Sequence, residues 1–331
     1  MNTCVITGVN GQDGSYAVEL LLKEGYKVYG IKRRSSSLNT ERIDHLYQDK
    51  HLGSNLELIY GDLSDYSSIS SLVGDVKPDL FFNLGAMSHV RVSFDIPEYT
   101  MDVTGTGVIR CLEAIRKNSP KTRFLTASSS EMFGYSPPPQ NELTRFQPRS
   151  PYGVAKVSGF YSTVNYREAY GMFACNAISF NHESSRRGET FVTRKITRAA
   201  TRIKLGLQDK VYLGNLDAQR DWSHASDVVK AMYKIILADE ADDYVIASGK
   251  MYSVRQFAET VFSKLGMNYL DYVEFDPIYL RPSEVEALCG SAEKIKSKLG
   301  WEPEMTFDDL VNEMIEGDMK LAQKELLIKG I

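Results

Sequence analysis

The stretch Thr3-Cys-Val-Ile-Thr-Gly-Val-Asn-Gly-Gln-Asp-Gly14 decides the fold of this chain. Residues 3–7 predict a buried strand, and the apolar residues among 17–22 predict a helix after the glycines. A strand, a glycine turn and a helix form a phosphate cradle, because the backbone approaches closely and the helix N-terminus favours negative charge. A plain strand–helix turn is the alternative. The G-x-x-G-x-x-G spacing favours a dinucleotide site at Gly8, Asn10, Gly11, Gln12, Asp13 and Gly14.

Strand and helix patterns alternate along the first 180 residues. Strands are predicted near 3–7, 27–32, 56–60, 79–85, 122–128 and 173–180, and helices near 12–24, 40–50, 65–76, 99–117 and 152–169. This alternation predicts an α/β fold with a doubly wound parallel sheet of the Rossmann type.

The pattern loosens after residue 180. The segment 181–188 is predicted as a polar loop, and helices are predicted near 191–205, 226–238, 253–265 and 306–326. The apolar run 244–247 is expected to return to the large sheet. We therefore predict a cofactor-binding domain at 1–180, with 226–249 returning to it. A smaller α/β substrate domain is predicted at 181–225 and 250–331.

Composition and charge narrow the functional classes. The chain has 331 residues, a net charge of −4 and no apolar run long enough to span a membrane. An acidic balance disfavours nucleic acid and anionic membranes as partners. No signal or transit peptide is apparent, so a cytoplasmic enzyme is the simplest expectation. The scattered cysteines and five histidines show no metal-ligand spacing; the cysteines are Cys4, Cys111, Cys175 and Cys289.

The second predicted strand ends in two arginines. Cofactors without a 2′-phosphate usually meet an acidic residue at this place, and none is present here. Guanidinium groups suit phosphate geometry, so the run Arg33-Arg34-Ser35-Ser36 predicts NADP rather than NAD. A solvated basic turn is the alternative.

Two further strand ends are candidates for the cofactor cleft. Asp62 and Leu63 follow the third strand and are predicted to hold the adenine edge. Leu84, Gly85 and Ala86 close the fourth strand and are expected beside the ribose and diphosphate. His89 and Tyr99 follow, and each fits a packing role as well as a binding role.

Tyr152 and Lys156 lie four residues apart, which on a helix places both side chains on one face. A free tyrosine has a pKa of roughly 10 and is a poor base at neutral pH. An ammonium beside it favours the phenolate, which can take a proton from a substrate alcohol. With Ser129, at the end of the fifth strand, the pair predicts a hydroxyl–Tyr–Lys set that oxidises an alcohol.

On these residues the chain resembles the extended short-chain dehydrogenase/reductase family, and within it the GDP-mannose 4,6-dehydratases. The resemblance covers nearly the whole chain. The matching stretches are 8–14, 32–37, 83–90, 128–134, 150–156, 181–184, 186–196, 213–222 and 281–285. Where this family usually has threonine the chain has Ser129, which keeps the hydroxyl and loses the methyl group.

The resemblance implies a reaction that starts from GDP-mannose. Tyr152 would take the C4 hydroxyl proton while NADP takes the C4 hydride, with Lys156 lowering the pKa of the tyrosine and holding the nicotinamide ribose. Ser129 would stabilise the C4 oxygen, and Glu131 would remove the C5 proton and help water leave from C6. The product would be the 4-keto-6-deoxy sugar nucleotide.

The resemblance also assigns binding residues. Arg220, Arg281 and Lys195 suit the diphosphate. Glu284 would meet the nucleotide ribose and Asn181 the sugar-phosphate end, with the loop 187–192 lining the guanine pocket. The further matches are Ser88 for cofactor and substrate, Tyr99, His182 and Arg187 for the cofactor, and Val192 for the substrate. A solvated surface charge is the alternative for each basic residue.

Family members form dimers or tetramers, so the resemblance implies a homodimer or homotetramer with the 33–39 loop at the interface. Three alternatives stay open. The first is another sugar-nucleotide 4,6-dehydratase. The second is a C4 epimerase or 4-ketoreductase, which needs no carboxylate at Glu131. The third is a silent NADP-sensing protein, which the complete Ser129, Glu131, Tyr152 and Lys156 set disfavours.

Overall fold

The computed structural model describes residues 1–46 and 54–329. In chain order the strands are β1 (Thr3–Thr7), β2 (Lys27–Lys32), β3 (Leu56–Tyr60), β4 (Leu80–Asn83), β5 (Arg123–Ser129), β6 (Ala174–Ser179), β7 (Asn181–Glu183), β8 (Val211–Leu213), β9 (Gln219–His224), β10 (Asp243–Ile246), β11 (Met251–Ser253), β12 (Val273–Phe275) and β13 (Ala287–Leu288).

The helices in chain order are α1 (Gln12–Lys23), α2 (Tyr66–Val76), α3 (Val90–Ser93), α4 (Pro97–Thr100), α5 (Gly107–Asn118), α6 (Pro151–Tyr170), α7 (Val192–Lys204), α8 (Ala225–Ile236), α9 (Val254–Lys264), α10 (Glu293–Leu299) and α11 (Phe307–Lys329). A π-helical turn spans Met101–Thr106, and 3₁₀ turns span Asp44–Leu46, Ser130–Met132, Tyr269–Asp271 and Pro277–Tyr279.

Seven parallel strands form the main sheet, in the order β10-β6-β5-β4-β1-β2-β3. The chain steps from β1 outward to β3 and then returns to the other side of β1 with β4. This reversal between β1 and β4 makes a crevice at the carboxyl ends of the strands, where open α/β sheets bind ligands. The predicted α/β Rossmann fold is confirmed.

Apolar clusters cover both faces of the sheet. One cluster includes residues of α1 and α8, and the other includes residues of α2 and α5. Phe81 and Phe124 sit on neighbouring strands and have no exposed side-chain surface, with ring centroids 5.8 Å apart. The central strands β1, β4, β5 and β6 are buried over most of their length on both faces, which explains their near-continuous apolar runs, whereas the edge strand β3 is partly exposed.

The C-terminal part has smaller sheets. Strand β9 pairs with β11, β13 and β7, and β8 pairs with β12. Residues of α7, α9 and α11 form a third apolar cluster with Trp222 of β9. Within it Arg194 of α7 pairs with Asp318 of α11 at 2.7 Å, with the side chains 5% and 0% exposed. The Thr197 hydroxyl donates a further hydrogen bond to this carboxylate. The buried ion pair is therefore compensated both in charge and in hydrogen bonding.

Most predicted elements are present, and three differ. The helix predicted at 99–117 is divided into α4, the π-helical turn and α5, because Gly105 and Gly107 weaken the regular helix. In the helix predicted at 40–50, residues 44–46 form a 3₁₀ turn, and 47–50 lie outside the described residues. The loop predicted at 181–188 begins with strand β7, which pairs with β9.

Strand β10 pairs with β6, so the apolar run at 244–247 does return to the main sheet as predicted. The division into two domains stays our prediction. Among the described residues, no helix combines the length and the apolar character needed to cross a membrane. Across the same residues, no group of three His, Cys, Asp or Glu side chains is arranged to hold a metal ion.

Candidate active site

The glycine turn after β1 brings two backbone segments into close contact. Gly8 has a φ of +69°, and a side chain there would meet the backbone of Gly85 at 2.9 Å. A Cβ on Gly14 would lie 2.3 Å from the carbonyl oxygen of Gly8. Only glycine fits either position, because the first needs a left-handed backbone and the second leaves no space. The N-terminus of α1, capped by Gly11 without a side-chain hydrogen bond, therefore opens toward the cleft.

Gln12 and Asp13, the first residues of α1, connect the turn to the C-terminal part of the chain. The Gln12 amide donates to the carbonyl of His182 at 3.1 Å and accepts from the Ser184 hydroxyl at 2.9 Å. Asp13 accepts a hydrogen bond from His182 Nε2 at 2.9 Å. Both side chains line the cleft, and both serve as ties between α1 and β7.

The two neighbours of the His182 ring favour a proton on each ring nitrogen. Its Nδ1 lies 2.7 Å from the Phe180 carbonyl, and its Nε2 faces the Asp13 carboxylate. Both partners are acceptors, so only the imidazolium satisfies both. Although burial opposes it, the Asp13 carboxylate raises the pKa of His182. Burial would raise the pKa of Asp13, but His182 and Arg187 lower it to about 2.

The basic loop after β2 reaches the cleft through Arg33 and Asn39. Arg33 Nη1 donates to the Tyr99 hydroxyl at 2.7 Å, and both residues line the cleft. Asn10 donates to the carbonyl of Asn39 at 2.9 Å and so ties the far end of the loop to the glycine turn. The structure does not bring three other predicted residues to the cleft, namely Arg34, Ser35 and Ser36. Leu38 at the loop is 97% exposed.

The ends of β3 and β4 form one wall of the cleft. Asp62 accepts hydrogen bonds from the Ser64 backbone and hydroxyl, which fixes its carboxylate at the cleft edge. Leu63 packs against Gly85, where a Cβ would meet the leucine Cδ1 at 2.9 Å. Cleft-lining residues that follow β4 are Leu84, Gly85, Ala86, Ser88 and His89.

The four predicted catalytic residues meet beyond this wall. Ser129 ends β5, Glu131 lies in the following 3₁₀ turn, and Tyr152 and Lys156 share one face of α6. All four are 6–9% exposed and line the cleft. The Glu131 backbone N–H donates to the Ser129 hydroxyl oxygen at 3.2 Å. That contact leaves the serine proton free for another acceptor.

Helix α6 is fixed at both ends by its sequence. Ser150 caps the helix by accepting from the Gly153 N–H at 3.0 Å, and Pro151 occupies its first position. Gly171 ends it with a φ of +64°. The Lys156 ammonium donates to the carbonyl of Ala127 on β5 and lies 5.7 Å from the centroid of the Tyr152 ring.

Burial dominates the protonation of this pair. It raises the pKa of Tyr152 to about 12, although a hydrogen bond with Ser129 acts in the opposite direction. Burial also lowers the pKa of Lys156 to about 8. Burial therefore outweighs the hydrogen bond with Ser129, while the Lys156 ammonium is directed to the Ala127 carbonyl. That Lys156 lowers the tyrosine pKa stays a prediction.

Two arginines and two carboxylates alternate at the next part of the cleft. Arg281 Nη1 lies 3.2 Å from Glu131 Oε1 and 3.7 Å from Glu284 Oε1. Arg220 Nη2 lies 3.4 Å from the same Glu284 oxygen. Burial alone would lower the pKa of Arg281, but the Glu131 and Glu284 carboxylates raise it. For Arg220 burial dominates and lowers the pKa. The sequence predicted these arginines for binding and did not predict the contact with Glu131.

The segment between β7 and α7 completes the cleft. Arg187 Nε lies 3.1 Å from Glu183 Oε2, and its guanidinium covers the Phe191 ring at 3.7 Å. The buried side-chain oxygen of Asn181 has no hydrogen-bond partner among the described residues. Val192 begins α7 and lines the cleft. A buried oxygen without a partner at the edge of a cleft fits a polar ligand.

Sequence reasoning missed an aromatic residue of the site. Lys195 places its ammonium 3.2 Å from the centroid of the Tyr279 ring, in the 3₁₀ turn Pro277–Tyr279. That turn lies in a segment without a clear periodic pattern, so only its spacing from the arginine at 281 offered a signal. The whole cleft has a volume of about 1060 Å³, enough for two nucleotide-sized ligands.

Comparison with known proteins gives the relatives of the chain. The family model described as GDP-mannose 4,6 dehydratase matches residues 5–314. GDP-mannose 4,6 dehydratase 1 of Arabidopsis thaliana is 51% identical over 98% of this chain and 91% of its own length. GDP-mannose 4,6-dehydratase of Yersinia enterocolitica is 50% identical over 100% of this chain and 97% of its own.

Solved structures share the fold. A dTDP-glucose 4,6-dehydratase from Bacillus anthracis, determined in complex with NAD, superposes with a TM-score of 0.84. Its sequence is 21% identical, and the match covers 98% of each chain. This similarity supports the α/β architecture and carries no assignment of substrate.

The Asp13–His182 pair predicts a pH-dependent stability. The pKa of His182 is raised in the folded state. Its contribution to the free energy of unfolding is therefore complete below the unfolded pKa of 6.5 and is lost as pH rises through the folded pKa. The Asp13 contribution is present above its unfolded value of 3.8 and is lost as pH falls toward 2. Between these two pH limits we expect the largest difference in free energy of unfolding between the wild type and His182→Gln, with the wild type more stable.

Urea unfolding at a series of pH values measures this difference. We expect it to be largest between about pH 4 and 6.5 and to shrink toward pH 9. His45→Gln is the control, because His45 forms an exposed pair with Glu19 that solvent screens. A wild-type advantage over His182→Gln that stays equal at pH 5 and pH 9 would contradict the charged pair.

Proposed function

The chain belongs to the GDP-mannose 4,6-dehydratase family and is an enzyme of that hydro-lyase class, and on this premise we propose how its cleft works. The reaction converts GDP-D-mannose to GDP-4-keto-6-deoxy-D-mannose and water. The observation that carries this proposal is the buried carboxylate of Glu131 beside Ser129 and Tyr152. Alcohol oxidation needs only the hydroxyl–Tyr–Lys set, whereas elimination also needs a base at C5.

The cleft fits a nicotinamide dinucleotide, and we propose NADP as the resident cofactor. A Cβ would fill the cradle at Gly8 or Gly14, and the open N-terminus of α1 favours a diphosphate. Arg33, beside Tyr99, offers a guanidinium suited to a 2′-phosphate. The remaining residues proposed to hold the cofactor are Asn10, Gly11, Gln12, Asp13, Asp62, Leu63, Leu84, Gly85, Ala86, Ser88, Lys156, His182 and Arg187.

The first chemical task falls to Tyr152. Its oxygen takes the proton of the sugar C4 hydroxyl, and the Ser129 hydroxyl donates to that C4 oxygen as negative charge develops. Lys156, directed by the Ala127 carbonyl, supplies the positive charge that favours the phenolate once ligands exclude water. NADP, when bound, accepts the C4 hydride and returns it to C6, so each turnover leaves it unchanged.

Glu131 performs the second task. A ketone at C4 acidifies the proton at C5, and the Glu131 carboxylate takes it. The same carboxyl group then protonates the C6 hydroxyl, which leaves as water. Glu131 therefore ends each turnover with the proton count it began with, and the proton that Tyr152 took from the C4 hydroxyl is delivered to C5 when the hydride reaches C6.

Substrate binding is assigned to the basic end of the cleft. Arg220, Arg281 and Lys195 are proposed to hold the diphosphate, since charge-assisted bonds to phosphate are the strong ones. Glu284 is proposed at the nucleotide ribose and Asn181 at the sugar-phosphate end. Ser88 and Val192 complete the proposed substrate-binding residues, and the 187–192 loop is proposed to line the guanine pocket. The second candidate reaction, C4 epimerisation or 4-keto reduction, leaves Glu131 without a task.

The cofactor preference is a first prediction from this site. We expect NADP to bind more tightly than NAD, because the end of β2 offers arginines and no acidic residue. Arg33→Ala should weaken NADP binding roughly tenfold by removing one charge-assisted contact, with little effect on NAD. Titration of both nucleotides into apo-enzyme measures the constants, and Arg255→Ala is the control, because Arg255 pairs with Asp217 and neither residue lines the cleft. Tighter binding of NAD to the wild type would reject the assignment.

A second prediction tests the reaction itself. Incubated with a panel of GDP-, UDP- and dTDP-sugars, the wild type should form a 4-keto-6-deoxy product from GDP-mannose. Glu131→Gln should bind NADP as the wild type does and lose roughly a hundredfold or more of product formation, as expected for a removed general base. Wild-type turnover of another nucleotide sugar alone would reject GDP-mannose. Full product formation by Glu131→Gln would reject the role of the carboxylate.

The assembly is the third prediction. We propose a homodimer or homotetramer in which the 33–39 loop meets a second subunit, because Leu38 is 97% exposed at that loop. A cytoplasmic location belongs to the same proposal. Size-exclusion chromatography with light scattering should give two or four times the 37.2 kDa chain mass. Leu38→Asp should shift the protein toward smaller species, and a monomeric wild type would remove the proposal.

A further inference from the structure

The Glu131 carboxylate has a charged partner that the catalytic set does not include. Arg281 Nη1 donates to Glu131 Oε1 at 3.2 Å, across 150 residues of sequence. Among residues 1–46 and 54–329, no other side chain donates a hydrogen bond to this carboxylate. Glu131 is 6% exposed, so its charge depends on this partner for compensation.

Arg281 itself is shared between two acids. The same Nη1 lies 3.7 Å from Glu284 Oε1, and Arg220 reaches that oxygen from the other side at 3.4 Å. The four groups alternate in sign and sum to zero charge. A guanidinium has five N–H donors in a rigid fork, and Nη1 accounts for two of them. The remaining donors are available to a phosphate.

We propose that Arg281 is a positioning residue for Glu131, in addition to its contact with the substrate. One end of the guanidinium holds the carboxylate at the C5 side of the sugar, and the other end holds the diphosphate. Binding of the substrate diphosphate and positioning of the Glu131 carboxylate are then coupled through one side chain. This inference rests on the proposed dehydratase reaction, and it assigns Arg281 to the C5 proton-transfer step.

Arg220 offers a matched contrast within the same network. It contacts Glu284 and the Gln219 carbonyl and makes no hydrogen bond to Glu131. A residue that only binds diphosphate raises KM when it is weakened and leaves the rate of bound substrate unchanged. When a residue that positions the base is weakened, kcat falls and C5 proton transfer becomes more rate-limiting.

The experiment compares Arg281→Lys with Arg220→Lys in the holoenzyme. Lysine keeps the charge and loses the fork, so it serves one partner at a time. Steady-state assays give kcat and KM for GDP-mannose, and C5-deuterated GDP-mannose gives the isotope effect on kcat. We expect Arg281→Lys to lose roughly tenfold in kcat, the size of one charge-assisted bond, with a larger isotope effect than the wild type. Arg220→Lys should raise KM with the wild-type isotope effect.

Equal behaviour of the two variants, with higher KM and unchanged isotope effects, would overturn the positioning role. If Arg281→Lys does not fold, as judged by circular dichroism, Arg281→Gln with added methylguanidinium replaces it. Restoration of the wild-type isotope effect by the additive supports the role, and restoration of KM alone rejects it. A wild type without dehydratase activity would reject the proposed function instead, so the two failures are distinct.

Discussion

The buried ion pair between Asp13 and His182 is the interaction on which the geometry of the cleft depends. Asp13 stands at the N-terminal end of α1, directly after the glycine turn, and His182 stands in β7, the strand that pairs with β9. The pair therefore fixes the phosphate cradle relative to the strand that carries Arg220. A doubly protonated histidine gives this link a direction, because each ring nitrogen must point at its own acceptor. Two ligands that react with each other need such a fixed separation.

The same residues show how far the sequence predicts the molecule. Strands such as 27–32 and 56–60 were predicted with their observed ends, because each is a short run rich in apolar residues that ends at a charged or glycine-containing turn. Strand β7 was missed, since three polar residues held by one neighbouring strand have no periodic signature. The Glu131–Arg281 contact was missed because it joins positions 150 residues apart, and only tertiary structure brings them together. The residue types of the site follow from motifs, whereas its pairings follow from packing.

Burial changes the chemistry expected from the Tyr152 and Lys156 spacing. The sequence suggests an activated phenolate, yet desolvation favours the neutral form of both groups and moves their pKa values apart, to about 12 for Tyr152 and about 8 for Lys156. With a pKa of about 12, the Tyr152 phenol is protonated at neutral pH. Since the penalty is one of desolvation, positive charge placed beside the phenol is what can overcome it.

Glu131 poses the opposite problem, because elimination requires a carboxylate in a site that disfavours isolated charge. In the structure, acids and arginines alternate in the order Glu131, Arg281, Glu284 and Arg220, so that each acid contacts a guanidinium. Such a neutral series tolerates burial better than a lone carboxylate would, since each charge is compensated locally. It also distinguishes Glu131 from Tyr152, whose pKa burial raises to about 12. Arg281, which contacts the Glu131 carboxylate through Nη1, has further N–H donors that this pair does not use, so one side chain can join the acid to a second anionic group.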